Sequence, residues 1–596
     1  MIRTSRMVLA CLSASAITLA AQPRPDFDLV IRGGMLIDGS GVKPVRADIG
    51  VRDGRIVRVG VIRNPKAAEA IDVTGLMVSP GFIDVHTHAD DIAEHPRAEN
   101  FVRMGVTAVV AGNCGSSAAD IGESLATIKQ TGVAVNYATL VGHNTVRRAV
   151  MGTVQRPPDA AELTKMRGLV WKAMADGAVG FSTGLQYIPG AYADIVEIIT
   201  LAREAAAAGG LYASHMRNEG TEVEKAVDEA IRVGRSAGCP VQISHLKIDS
   251  PSRWGVSAKI LEMIDAARAS GVDVKADQYA YTAGSSGLGI RFPAWALEGG
   301  EAKIAERLND PPTWARIKAE MKDLYTQRGF TDLAWAVVAT YRPDPSLNGL
   351  SMKQVAAKLE GSDSADAQLE AARTMMLKGG ASMVYHFMGE DDIARIMKHP
   401  MVSVASDSGV LTPGEGVPHP RGYGNNVRVL GLYVRERRVI PLEEAIRKMT
   451  SLPAQQFKFA NRGLIKEGYA ADLVVFDPVT VGDTATYDAP HAYATGIPYV
   501  IVNGVVVVRK GEHTGARPGE ILTITKTGGT RNEERVGRVD RVIGRSAEGV
   551  SIWPSPIMRV GAELARRETV VRVGADLGRP EQQFVGATHR EADRVG

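Results

Sequence analysis

Six residues far apart in the chain have the types that hold and use a metal ion: His86, His88, Cys114, His215, His245 and Asp407. His86 and His88 end an apolar run, "GFIDVHTHAD". In a strand, residues i and i+2 point to the same side, so both imidazoles project together. A lone histidine there reads as a satisfied core residue; a same-face pair suits a cation, because neutral imidazole is a preferred zinc donor. "AVVAGNCGSS" sets Cys114 ahead of a small polar loop, where by itself it is equally a buried structural thiol. "YASHMRNEG" and "VQISHLKI" supply His215 and His245, and a thiolate with several imidazoles suits zinc. Asp407, in "MVSVASDSG", could be a ligand, a general base or an N-cap. Beside zinc-activated water, a carboxylate takes the proton and passes it to the leaving group.

Positioning such residues takes a scaffold that brings several strand ends to one place. From about residue 79 to 460, strand-like segments alternate with helical ones: "GFIDVHTH", "VTAVVAGNC", "VNYATLVGH", "GAVGFSTGL", "LYASHM", "PVQISHLKI", "VDVKADQYAY" and "MVSVASDS". The intervening "GTEVEKAVDEAIRVGRSAG" shows a helical face of Val223, Ala226, Val227, Ala230 and Val233. Eight such units predict a (β/α)8 TIM-like barrel, whose strand ends converge on one mouth. Residues 287–380 break this rhythm and read as an insertion. Short alternating runs with Gly-Gly, Asp-Gly and Asn-Gly turns occupy 26–78 and 461–525, which predicts a small β-sandwich built from both ends.

The chain has 596 residues and a net charge of +3, with 70 basic against 67 acidic side chains. That length implies more than one domain, and the balance lacks the basic clustering of a nucleic-acid binder. Residues 1–21 carry Arg3 and Arg6 before an uncharged stretch ending in small residues, which reads as a signal peptide for a periplasmic or secreted protein. With that segment removed, no membrane association is expected. Cys11 would leave with it, and Cys114 and Cys239 are too few for a disulfide framework. Residues 529–596 hold 12 arginines and no lysine, and read as a disordered, solvated tail.

The motifs "GFIDVHTH", "GNCGSS", "GFSTGLQYIPG", "ASHMRNE", "SHLK", "DQYAYTAGSSGL", "SDS" and "HPR" occur in an order that resembles the amidohydrolase superfamily, within it the D-aminoacylases (N-acyl-D-amino-acid deacylases). The resemblance spans nearly all of 26–525. It implies that Cys114, His215 and His245 hold a main zinc, with a second, weaker site at His86 and His88 sharing Cys114, and that Asp407 is the catalytic base. It also implies that Arg421 of "PHPRGYG", with Lys247, Tyr279 and Ser285, binds the substrate carboxylate, a task suited to a guanidinium fork. The related cyclic-amide hydrolases bridge two metals with a carboxylated lysine on the fourth strand. Here that strand reads "GAVGFSTGLQY" and has no lysine.

The expectation is zinc-dependent hydrolysis of N-acyl-D-amino acids, a small-molecule reaction. The alternatives are a dihydropyrimidine- or hydantoin-type hydrolase, a dipeptidase releasing D-residues, and a metal-free binding protein on the same barrel. The spacer "SGVLTPGEGVP" before the His-Pro-Arg run looks long for this family and bears on substrate side-chain preference. Oligomeric state is not readable from the residues.

Overall fold

The computed structural model describes residues 25–524. The expected signal segment 1–21 and the Arg-rich tail 529–596 lie outside the described residues. Among the described residues no helix is long and apolar enough to cross a membrane.

Both ends of the described chain build two facing sheets. In the first, Phe27–Arg32 pairs antiparallel with Asp48–Arg52 and parallel with Ala67–Asp72. In the second, Met77–Pro80 pairs antiparallel with Leu473–Phe476, which continues through Tyr499–Val502 to Val505–Arg509. The Asn503-Gly504 turn between the last two has φ of 49° and 79°, the left-handed pair that a tight hairpin needs. Leu29, Ile31, Ile49 and Val51 of one sheet pack against Val78, Leu473, Val475 and Ile501 of the other. Alternation in the sequence put these side chains on one face, and burial joins the two faces.

Eight parallel strands succeed one another between these ends. They are β1 (Phe82–Asp84, resumed at Thr87–His88), β2 (Val106–Ala111), β3 (Asn136–Thr139, resumed at Val141–Gly142) and β4 (Gly180–Gly184). There follow β5 (Leu211–His215), β6 (Val241–Ile243), β7 (Val274–Gln278) and β8 (Val402–Val404, resumed at Ser408–Gly409). Each pairs with the next, and the resumed part of β8 pairs with that of β1, so the ring closes. Its interior holds Val85, Val110, Ala138, Leu140, Val179 and Ala213. Phe457, Phe459 and Leu522 join the same cluster, and the stretch Gly519–Leu522 hydrogen-bonds along the start of β3 through Val133 and Tyr137. Helix Val223–Ala237 buries the face read from its periodicity.

The inserted layer is wider than 287–380. Its three-stranded antiparallel sheet runs Ala283–Gly287, Ser382–His386, Ala336–Thr340 in spatial order, so two of its strands flank the expected limits. "AGSSG" carries no apolar alternation, which is why its strand is invisible to periodicity. Helices such as Pro311–Gln327 and Ala365–Leu377 back this sheet.

Candidate metal centre and active site

Three donors stand just past their strands in a left-handed backbone conformation: Cys114 (φ 53°), His245 (φ 36°) and Asp407 (φ 54°). Non-glycine residues pay roughly 1–3 kcal/mol each for such geometry, so their surroundings must hold them. The His245 N–H donates to Asp277 Oδ1 at 2.7 Å, and the Asp407 N–H donates to the His86 carbonyl at 2.8 Å. The Gly115 N–H donates to Ser182 Oγ at 3.1 Å, fixing the loop after Cys114. At Gly184 an added Cβ would lie 2.0 Å from the Cys114 carbonyl oxygen, so only glycine lets β4 approach this loop.

The turned backbones aim the side chains together. Cys114 Sγ lies 3.3 Å from His86 Nε2 and 3.6 Å from both His215 Nδ1 and His245 Nε2. His88 Nε2 is 3.1 Å, and His86 Nε2 3.4 Å, from Asp407 Oδ1. Two donor groups result, His86, His88, Cys114 and Asp407 in one and Cys114, His215 and His245 in the other, sharing the cysteine. All but the half-exposed His88 are buried.

Behind the donors stand two carboxylates that the sequence reading did not single out. Asp277 Oδ1 is 3.3 Å from His86 Nδ1. Glu219 Oε1 is 3.0 Å from His245 Nδ1, and its Oε2 is 3.7 Å from His215 Nε2. An imidazole backed by a carboxylate on its far nitrogen is oriented and made a better metal donor. Glu219, four residues after His215 in "SHMRNEG", could have been flagged by that spacing. Asp277 in "KADQYAY" carries no local signal.

The electrostatics agree with a cation site. Burial would raise the Cys114 thiol, but His86, His215 and His245 outweigh it and hold it well below the usual thiol range. Burial likewise disfavours a carboxylate at Asp407, yet Arg421, His245 and His86 keep it well below the usual range. Burial opposes a charged imidazole at His86, and the charges of Cys114, Asp277 and Asp407 override it upward. Four acidic groups, Cys114, Asp277, Glu219 and Asp407, thus converge with the four imidazoles, and Lys247 and Arg421 are the fixed cations paired to them. This donor set fits zinc.

The expected carboxylate anchor is only partly free. Arg421 opens the helix Arg421–Arg428, and its Nη1 is 2.9 Å from Asp407 Oδ2, an ion pair with the expected base. His419, the histidine of the His-Pro-Arg run, is buried and orients Arg421: its Nδ1 accepts from the Arg421 N–H at 3.0 Å, and its Nε2 donates to the Ala283 carbonyl. Lys247 is engaged, 2.6 Å from Glu219 Oε1 and 2.8 Å from His245 Nδ1. Tyr279 lies under both cations, with Arg421 4.6 Å and Lys247 5.8 Å from its ring centre, and its buried hydroxyl lacks a partner among the described residues. Ser285 departs from the expectation in detail: its hydroxyl donates to the Met383 carbonyl, toward its own sheet, because the strand pairing fixes it there.

An open cleft of about 1020 Å³ leads in from solvent to His88, Asp407 and Arg421. Its walls come from the inserted sheet (Ser285–Gly287, Thr340, Ser382) and from the spacer 410–418. Below it, a recess reaches His215, Lys247, Tyr279 and Arg291. Tyr187 lines both spaces, its ring 4.7 Å from that of His215 and its hydroxyl accepting from Ser286 at 3.2 Å.

Comparison with known proteins bears on this geometry. A model described as the amidohydrolase family matches residues 69–508, and one for the urease α-subunit N-terminal domain matches residues 12–82. The chain is 38% identical over 523 residues to the D-aminoacylase of Alcaligenes xylosoxydans xylosoxydans, covering 84% of this chain and 98% of that one. It is 39% identical over 518 residues to the N-acyl-D-glutamate deacylase of the same organism, covering 83% and 96%. The crystal structure of N-acyl-D-glutamate deacylase from Bordetella bronchiseptica, complexed with zinc and a phosphonate mimic of the tetrahedral intermediate, matches with a TM-score of 0.72. The identity there is 38%, over 83% of this chain and 99% of that one.

Proposed function

The chain belongs to the amidohydrolase family, and from that membership we propose that it hydrolyses the amide bond of N-acyl-D-amino acids, releasing a carboxylic acid and a free D-amino acid. The observation that carries this reading is Cys114, shared between two donor groups directly beside Asp407. Cys114, His215 and His245 would hold a tightly bound zinc, and His86 and His88 a weaker second ion. When bound, zinc supplies Lewis acidity toward an acyl carbonyl and makes water acidic near neutral pH.

The protein's own groups do the rest. Asp407 accepts a proton from the attacking water and delivers it to the amide nitrogen as the C–N bond breaks. Arg421 takes the substrate carboxylate in exchange for its pairing with Asp407, so binding also releases the base. Tyr279 offers its unpartnered hydroxyl to the same carboxylate. Fixing that carboxylate decides which face of the amide reaches Asp407, and stereoselectivity follows from it. The absence of a lysine on β4 disfavours the cyclic-amide alternative.

Arg291 favours an acidic side chain on the substrate. Its guanidinium lines the recess, stacked over Tyr385 at 4.3 Å and beside Trp335 and Phe387, with no carboxylate in ion-pair distance among the described residues. The nearby Asp249 is spent on Arg328. The test is a panel of N-acetyl-D- and N-acetyl-L-amino acids against zinc-loaded protein. Turnover confined to D-substrates supports the reading, and activity confined to hydantoins or dihydropyrimidines refutes it. Export through residues 1–21 is part of the proposal, supported by the composition of that segment, and fractionation of expressing cells tests it.

A further inference from the structure

The strand Ala283–Gly287 is an edge strand. It pairs on one side with Ser382–His386 and, among the described residues, has no strand on the other. Its parity is fixed by its neighbours: Met388 N–H donates to the Thr282 carbonyl and Leu288 N–H to the Ala381 carbonyl, so even-numbered residues bond inward. Odd-numbered residues therefore turn their peptide groups outward, and the Ala283 carbonyl does so, accepting from His419. Past that point the Gly287 carbonyl accepts from the Tyr385 hydroxyl, while the Ser285 N–H and C=O and the Gly287 N–H run along the cleft wall, starting beside Asp407 and Arg421. An unpaired strand edge is a template for an extended chain.

Resting on the hydrolysis proposed above, the geometry points to a peptidyl group as the acyl portion of the substrate: a peptide ending in a D-amino acid, its backbone lying antiparallel or parallel along the free edge of Ala283–Gly287. The open stretch from Ser285 to Gly287 spans roughly 7 Å at about 3.3 Å per residue, enough for two residues upstream of the scissile amide. The cleft, at about 1020 Å³, far exceeds an acetyl group. A fatty acyl chain would cover the outward N–H and C=O groups without satisfying them, which is costly. The reaction balances as simple hydrolysis: water's hydroxyl joins the carbonyl carbon, the C–N bond breaks, and the nitrogen leaves protonated. The products are a shortened peptide with a new terminal carboxylate and a free D-amino acid.

Gly287 provides a clean probe. Its φ of −70° and ψ of 153° suit proline, and an added Cβ there meets nothing nearer than 3.9 Å. Gly287→Pro removes one outward N–H and crowds the edge without breaking an inward ladder bond. Zinc-loaded full-length protein is assayed with N-acetyl-D-, N-octanoyl-D- and N-acetyl-Gly-Gly-D-amino acids sharing the preferred side chain. A fourth substrate carries an ester in place of the Gly-Gly amide. The expected result is kcat/KM at least ten-fold higher for the peptide than for the acetyl and octanoyl compounds. The ester and Gly287→Pro should each remove most of that gain, with N-acetyl turnover unchanged in the variant. Equal kcat/KM for peptide and ester in the unaltered protein overturns the pairing, whether or not the variant folds. Turnover of N-acetyl-D-amino acids without turnover of the peptide overturns the peptidyl reading alone, and failure on every substrate overturns the hydrolase reading with it.

Discussion

Replacing Glu219 by glutamine separates the metal centre's support from its donors. Glu219 is 3% exposed and touches neither Cys114 nor Asp407 directly, yet it stands 2.6 Å from Lys247 Nζ, 3.0 Å from His245 Nδ1 and 3.7 Å from His215 Nε2. Burial opposes its charge, but Lys247, His215 and His245 hold it ionised, well below the usual glutamate range. Glutamine keeps the shape and removes the charge. Two effects follow. Lys247 becomes a buried cation without its anion, and breaking such a pair costs about 3–5 kcal/mol of stability. His215 and His245 lose the carboxylate that orients them, which weakens metal affinity by about 10- to 100-fold, or roughly 1.4–2.7 kcal/mol. Zinc affinity measured by chelator competition should fall at one site only, because His86 relies on Asp277 instead. Asp277→Asn should weaken both sites instead, because Asp277 backs His86 and also accepts the His245 N–H. The reasoning is refuted if Glu219→Gln binds zinc at both sites as the parent does.

Asp407→Asn should retain zinc and lose turnover by about 10²–10⁴-fold, measured as kcat on metal-verified protein. Arg421→Ala should raise KM for acylated amino acids. It should also shift the acidic limb of the pH–rate profile upward, because Arg421 leads the groups that lower Asp407 against burial; an unmoved limb contradicts that. Gly184→Ala puts a methyl 2.0 Å from the Cys114 carbonyl oxygen and should cost about 1–3 kcal/mol by urea unfolding, with loss of bound zinc. Lys448 is buried, and desolvation pulls its ammonium from 10.5 down to about 8. Between those values the unfolded chain binds a proton that the folded one does not, so stability should rise with pH across about 8 to 10.5, by up to about 3 kcal/mol, the penalty being present in full below 8. Lys448→Met should lack that rise in matched unfolding curves.

The barrel and its donors were legible because two rules act locally. A period of two marks a strand, and a parallel barrel sends every strand end to one mouth, so chemistry at strand ends can be gathered without coordinates. Cys114 and His245 sit two or three positions past their strands, where a left-handed turn rather than strand parity aims them. That detail depends on Asp277 and on the bare Gly184, both distant in sequence. The role of His419 was not legible because its partners, the Arg421 N–H and the Ala283 carbonyl, join a spacer to an insertion that no local pattern connects. The first strand of the inserted sheet escaped for a simpler reason: it is built from Gly, Ser and Ala, and is held by backbone pairing rather than apolar alternation.

The short run Gly519–Leu522 enters the base of the barrel beside β3, and Leu522 fills space next to Val179 and Ala138. The ring therefore waits for nearly the last described residues of the chain. During synthesis, five hundred residues emerge before the interior can be stoppered, and the first sheet's companion strands arrive just as late. Such a protein cannot close its core until most of the chain has been made, so shielding of its half-built core by chaperones should govern its yield more than the final stability does.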